Sequence, residues 1–211
     1  RLVSSRAVAG AIAALTIVLA LPGSAWAQTG FDNVPVTVMR PPISPMPVII
    51  AAFTPAELDI PSIGVTAAVA PVGTVTAPAP FLGGQLVPTF AVPADALSVG
   101  WWADGPMVGA PGMAILLGHS QVGGGYAVFD RLGELRPGDQ VEVVDGARNN
   151  RADFRITQVV PGIPKNDPEA LRRVLSDNAQ SAQLALITCG GNFDPSYRAS
   201  ADNVVAFAAR S

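Results

Sequence analysis

Leu184-Ala185-Leu186-Ile187-Thr188-Cys189-Gly190-Gly191 is an unbroken apolar run that ends in a cysteine and opens into paired glycines. A short apolar run bounded by glycine reads as a strand buried on both faces, with a loop beginning where the apolar residues stop. Side chains alternate along a strand, so Ile187 and Cys189 share one face and Leu186 and Thr188 the other. Thr188 is thereby suited to shaping the strand and its backbone donors, while Cys189 stands at a rigid strand end. Met113-Ala114-Ile115-Leu116-Leu117 repeats the arrangement, followed by Gly118, His119 and the loop Ser120-Gln121-Val122-Gly123-Gly124-Gly125. Glycine at 118 lets another backbone come close.

Outward from these two runs, the pattern stays that of short strands. Leu58-Asp59-Ile60-Pro61, followed by Ile63, Val65, Val69 and Val72, gives β-type runs broken by proline and glycine. Residues 140–144, 154–160 and 203–208 are further strand candidates, beside 113–118 and 183–188. Arg136-Pro137-Gly138-Asp139 and Asp145-Gly146 are turn signals between them. One helix is expected over 167–175, with Asp167 as its cap and Pro168 in its first turn. The Gly/Pro-rich stretch 73–95 is expected to hold loops. Many short strands with one or two short helices point to a mainly β fold of barrel type.

Near the N-terminus the chain changes character. Residues 1–6 carry two positive charges, an apolar run covers 7–21, and Ala25-Trp26-Ala27 is a small-residue cleavage cue. Residues 1–27 read as a signal peptide or membrane anchor, the apolar run being short for a bilayer core roughly 30 Å thick. Residues 28–56 are a Pro-rich linker, reading either as a spacer or as a disordered pro-region. One domain, 57–211, follows.

Composition narrows the function. Net charge is −3 and the isoelectric point about 5.0, so there is no global basic field for nucleic acid, and membrane contact falls to the N-terminal segment alone. A single cysteine rules out an internal disulfide, and with a single histidine it cannot build a four-ligand structural zinc site. No metal or cofactor is expected. Asp167, Glu169 and Asp177 read as helix cap and solvent face rather than a calcium site.

In an exported chain an unpaired thiol is either buried or has a task. An imidazole near Cys189 can accept its proton, stabilise the thiolate and later protonate a leaving amine. Arg198, nine positions beyond Cys189 in the segment 190–201, offers guanidinium donors for the oxyanion of a tetrahedral intermediate. The competing readings are a packed Cys and His in a secreted non-catalytic β-barrel binding module, and a solvated loop arginine.

An ordered set of segments carries a resemblance. Leu58-Asp59-Ile60-Pro61-Ser62-Ile63-Gly64-Val65, Val99-Gly100-Trp101-Trp102, Leu117-Gly118-His119-Ser120, Phe129-Asp130-Arg131-Leu132, Leu186-Ile187-Thr188-Cys189 and Asp202-Asn203-Val204-Val205 follow one another as in the sortases. The chain resembles most the actinobacterial class F branch. That resemblance implies an eight-stranded sortase-type β-barrel and a cysteine transpeptidase that cleaves an LPxTG-like sorting signal through a thioester. It implies LPxTG-type protein substrates, a cell-wall precursor amine as acceptor, and an extracytoplasmic location at the membrane or cell wall.

On this chain Cys189 matches the family's nucleophile, His119 its histidine and Thr188 the threonine before the cysteine. Arg198 is the choice for its arginine, and Gly190 joins Thr188 as a substrate-binding or oxyanion candidate. Ala185 departs from the family pattern, where threonine is common. The family's arginine also lies closer to the last strand, so Arg198 requires an inserted turn at Ala199-Ser200-Ala201. Residues 161–182 match the crossover that walls the peptide groove, with Pro164, Leu171 and Leu175 as substrate or packing residues, and Trp101 or Trp102 as floor or barrel packing. An L,D-transpeptidase-like cell-wall enzyme is the rival chemistry, but it places a His-Gly pair shortly before Ser-x-Gly-Cys, a pattern absent around Cys189.

Overall fold

The fold is described from a computed structural model for residues 51–121 and 125–211. The leader and most of the linker, and the glycine-rich part of the loop after His119, lie outside the described residues. Ten strands and one α-helix are present in this part: β1 (Glu57–Ile60), β2 (Val65–Val72), β3 (Thr74–Ala79), β4 (Gln85–Phe90), β5 (Val99–Trp102), β6 (Ala114–Leu117), β7 (Gln140–Val144), β8 (Arg151–Pro164), α1 (Ala170–Asn178), β9 (Leu184–Asp194) and β10 (Ala199–Arg210). Eight of the strands close a barrel in the order β1-β2-β5-β6-β9-β10-β8-β7, and β7 returns to pair with β1. The expected mainly β barrel with a short helix is therefore the observed fold.

Closure removes the unpaired edges that an open sheet would leave. The interior is filled by Leu58, Leu116, Phe129, Phe154, Leu184 and Leu186, among others, all essentially inaccessible. Each such side chain contributes about 1.5–3 kcal/mol relative to exposure. A second cluster covers one outer face of the barrel: Ile115, Leu117, Ala185, Ile187, Val205 and Phe207 pack there, with Leu171, Val174 and Leu175 of α1 against them. β6 and β9 are thus apolar on both faces because one face looks into the barrel and the other under this cover. Trp101 points inward, its indole N–H donating to the Pro106 carbonyl at 3.1 Å, and Trp102 packs on Phe90 with ring centroids 5.2 Å apart. The packed core begins before β1, since Phe53 is buried and its N–H donates to Val108.

Three expectations are corrected. The stretch 73–95 holds the β3–β4 hairpin, a separate two-stranded sheet, as well as loops. Its side chains are mostly exposed, so no hydrophobic alternation announced it. Segment 190–201, read as a loop, is largely ladder: β9 runs to Asp194 and β10 begins at Ala199. The helix starts three residues later than expected. Asp167 accepts the Glu169 N–H in the preceding turn and pairs with Arg173, rather than capping α1, whose cap position is Glu169.

Candidate active site

β9 lies between β6, its parallel neighbour, and β10, its antiparallel one. The β6–β9 register pairs Leu116 with Leu186 and Leu117 with Ile187. Beyond β6 the contact continues: the Gly118 N–H donates to the Ile187 carbonyl at 3.1 Å, the Thr188 hydroxyl to the Gly118 carbonyl at 2.8 Å, and the Ser120 hydroxyl to the Cys189 carbonyl at 2.7 Å. Cys189 and His119 therefore leave the same rim from neighbouring chain segments. By alternation they continue the rows Ala185-Ile187 and Ile115-Leu117, which belong to the covered outer face. Parallel pairing makes this juxtaposition possible, because two parallel strands end at the same rim.

Two glycines are required by close approach. A Cβ on Gly118 would sit 2.5 Å from Phe129 Cδ2, and one on Gly190 would sit 2.5 Å from Val204 Cγ2. Gly190 lies opposite Asp202 in the β9–β10 ladder. Thr188 is buried, 5% exposed, and faces away from the sulfur into its bond with Gly118.

Both reactive candidates are half-buried. Nε2 of His119 lies 2.8 Å from the Pro93 carbonyl oxygen. A carbonyl only accepts, so Nε2 donates in this contact and Nδ1 is the ring nitrogen outside it. Asp95 organises the loop that presents Pro93. Hydrogen bonds from Ser98 and from the Leu97 N–H hold its carboxyl below the ordinary value of 3.8.

The sulfur of Cys189 has one side-chain partner that the sequence did not announce: Lys165 Nζ, 3.1 Å away. Lys165 follows directly on β8, and its N–H donates to the Ala201 carbonyl at 2.9 Å. It is the chain's only lysine, as Cys189 is its only cysteine and His119 its only histidine. That singularity was the available signal. Ser120 and the Pro93 carbonyl also went unread, the latter because a backbone contact leaves no trace in residue type.

Arg198 is placed differently. It stands exposed in the turn between β9 and β10 with a positive φ of 50°, five residues before Asn203, the ladder partner of Cys189. Its side chain makes no hydrogen bond or ion pair with the described residues. The hairpin tip is anchored sideways, Tyr197 packing on Phe81 of the β3–β4 connection with centroids 5.0 Å apart. Ser196 donates to Asp194 in the same turn and holds that carboxyl below its ordinary value. A cleft of about 330 Å³ lies between the end of β8 and α1, lined by Val160, Ile163, Arg173 and Val174. Neither Cys189 nor His119 lines it.

A rim that brings the segments carrying one cysteine and one histidine side by side holds residue types that can carry out nucleophilic acyl transfer, although the nearest polar partners are Lys165 for the sulfur and the Pro93 carbonyl for the imidazole. The Sortase domain family model matches residues 58–211. Among solved structures, a lid mutant of sortase A from Corynebacterium diphtheriae aligns at 15% identity over 78% of this chain and 74% of that one, with a TM-score of 0.51. Sortase E1 from Streptomyces coelicolor, with a tripeptide in its active site, aligns at 17% identity over 75% of this chain and 88% of that one, with a TM-score of 0.52. No curated protein sequence matches the chain. Structural likeness at such identities speaks for the barrel alone, whereas the domain match spans most of the chain and includes both rim segments. The chain belongs to the sortase family of cysteine transpeptidases.

Proposed function

We propose that Cys189 is the nucleophile and His119 the proton carrier of a transpeptidation that cleaves an LPxTG-like sorting signal and passes its acyl group to a cell-wall precursor amine. The observation that carries this reading is the backbone pairing that brings Cys189 beside the residues flanking His119. In the first half-reaction the Cys189 sulfur attacks the scissile carbonyl carbon. A C–S bond forms, the C–N bond breaks, and the departing amine takes a proton from the His119 imidazolium. In the second, an acceptor amine attacks the thioester, a new C–N bond forms, the C–S bond breaks, and the amine's surplus proton returns to His119.

Arg198 is proposed to hold the bound signal from the β9–β10 hairpin, and Gly190 to contribute backbone donors where the strand leaves the sulfur. Thr188 supports the reading as the residue tying the nucleophile's strand to the histidine's. Exposed Phe193 and Tyr197 on the same hairpin offer apolar surface for the signal. The class F assignment, export by residues 1–27 and an extracytoplasmic site of action belong to the same proposal.

Mass spectrometry of the full chain after incubation with an LPxTG-type peptide tests it. Without acceptor, Cys189 is expected to gain the acyl portion of the peptide. With an added amine, that adduct disappears and the ligated peptide accumulates. Cys189→Ala should abolish both products, and Cys189→Ser should leave a trace, since an alcohol ionises far less readily than a thiol. Peptide cleavage by the alanine variant would sink the assignment.

A further inference from the structure

The side chain nearest in role to the sulfur is a cation that comes from neither β9 nor β10. β8 is the longest strand among the described residues, fourteen residues, and it delivers Lys165 to the rim beside Cys189. Ladder pairs set the geometry: Pro164 lies opposite Asp202 on β10, and Asp202 lies opposite Gly190 on β9. The Lys165 stem reaches across β10 and brings Nζ to 3.1 Å from Cys189 Sγ. Its backbone is fixed at the same point by the bond to Ala201.

Most other structured cations of the domain are spoken for. Arg131 pairs with Glu134, Arg148 with Glu57, Arg151 with Glu142 and Asp153, Arg172 with Glu169 and Arg173 with Asp167. Lys165 forms no ion pair with the described residues, and its only side-chain hydrogen bond goes to sulfur. A half-buried ammonium without a carboxylate is an uneconomical arrangement for stability, because it gives up hydration without a counter-charge. Beside a thiol the same arrangement has a use, since the thiolate is both the counter-charge and the reacting form.

We propose that Lys165 is a catalytic residue of this site, its ammonium donating to the Cys189 thiolate and then to the carbonyl oxygen that receives the charge during attack. The proposal rests on the transpeptidase reading of Cys189. As the C–S bond forms, negative charge leaves sulfur for the carbonyl oxygen. A lysine ammonium has three donors on a rotatable stem and can serve both atoms without a change of backbone. Arg198, on the hairpin, is then free to hold substrate, and the two cations divide the work that one guanidinium was expected to do.

The test compares wild type, Lys165→Met and Lys165→Arg in the full chain. Methionine keeps an unbranched apolar stem and removes the charge, whereas arginine keeps it. The rate of Cys189 alkylation by iodoacetamide at neutral pH and the ultraviolet thiolate absorption are read for each, with circular dichroism as the check on folding. Lys165→Met is expected to alkylate about tenfold more slowly and to lose thiolate absorption, and Lys165→Arg to stay within about threefold of wild type. Acetylation of the folded wild-type protein, with Cys189 reversibly blocked, neutralises the same charge without a substitution and should reproduce the methionine result once the thiol is released.

Equal alkylation of wild type and Lys165→Met overturns the proposal, as does an equal loss in the Met and Arg variants. Alkylation needs no peptide, so it separates the two claims. Should wild-type Cys189 alkylate in a Lys165-dependent way yet never gain an acyl group from sorting-signal peptides, the transpeptidase reading falls, and with it a catalytic Lys165. Should the acyl adduct form at the same rate with and without the lysine charge, Lys165 alone is struck out.

Discussion

The Thr188 hydroxyl joins the two segments of the candidate site at a point where the side chains of neither Cys189 nor His119 take part. It donates to the carbonyl of Gly118 inside the barrel wall, one residue from Cys189 on its own strand and one from His119 on the other. Thr188→Val keeps the shape and strands that carbonyl without this donor, so it is expected to lower unfolding free energy by about 1–3 kcal/mol in urea titrations. Peptide cleavage should fall as well, because the registration of the thiol against the imidazole loosens. Gly118→Ala is expected to cost about 1–3 kcal/mol in the same titration, since the new methyl group meets Phe129 and Val128 closer than contact allows. Residue type alone singled out Cys189, His119 and the glycines beside them. Lys165 was marked only by being the sole lysine, because its contact crosses a whole strand and arises from the length of β8, which no local pattern records.

At the scale of elements, the two hairpins beside the rim are held by turn chemistry more than by burial. Asp104 accepts the Thr74 N–H at 2.7 Å, and Thr74 in turn accepts from the Trp102 indole, fixing the base of β3–β4. Thr74 is the main reason the Asp104 carboxyl lies below its ordinary value, as Ser196 is for Asp194 and Ser98 for Asp95. Each binds its proton less readily folded than unfolded. Their contribution is therefore complete above the ordinary carboxylate range and is lost as pH falls through the depressed folded values. Thermal melts should move to lower temperature on acidification from about pH 5 to about pH 3. Asp104→Asn should flatten that dependence, and a midpoint indifferent to pH across this range would contradict the account. Where strands rest on cross-strand backbone bonds with both faces wet, as in β3–β4 and the outer part of β9–β10, hydrophobic alternation is missing. Those elements were accordingly read as loops, whereas β7, with Val141, Val143 and Val144 buried, was legible to the residue.

For the whole molecule, the barrel supplies a stable wall and leaves mobility to what is mounted on it. Leu116, with no exposed surface, sits on β6 in the interior, and Leu116→Ala should cost about 2–5 kcal/mol. Amide exchange is expected to be slowest along β6 and the inner parts of β9 and β10 and fastest in β3–β4, which has little buried surface to protect it. Uniform protection across these strands would speak against the division. The barrel class followed from a count of short apolar runs, while strand order did not, because pairing is decided by which faces can be covered together. The parallel partnership of β6 with β9 has a kinetic corollary. Seventy residues separate Thr188 from the glycine it binds. β7, β8 and α1 lie between the two in sequence, and such distant pairing is slow to form. Until β6 and β9 have paired, nothing in the fold holds Cys189 close to His119, so their proximity comes only with long-range assembly.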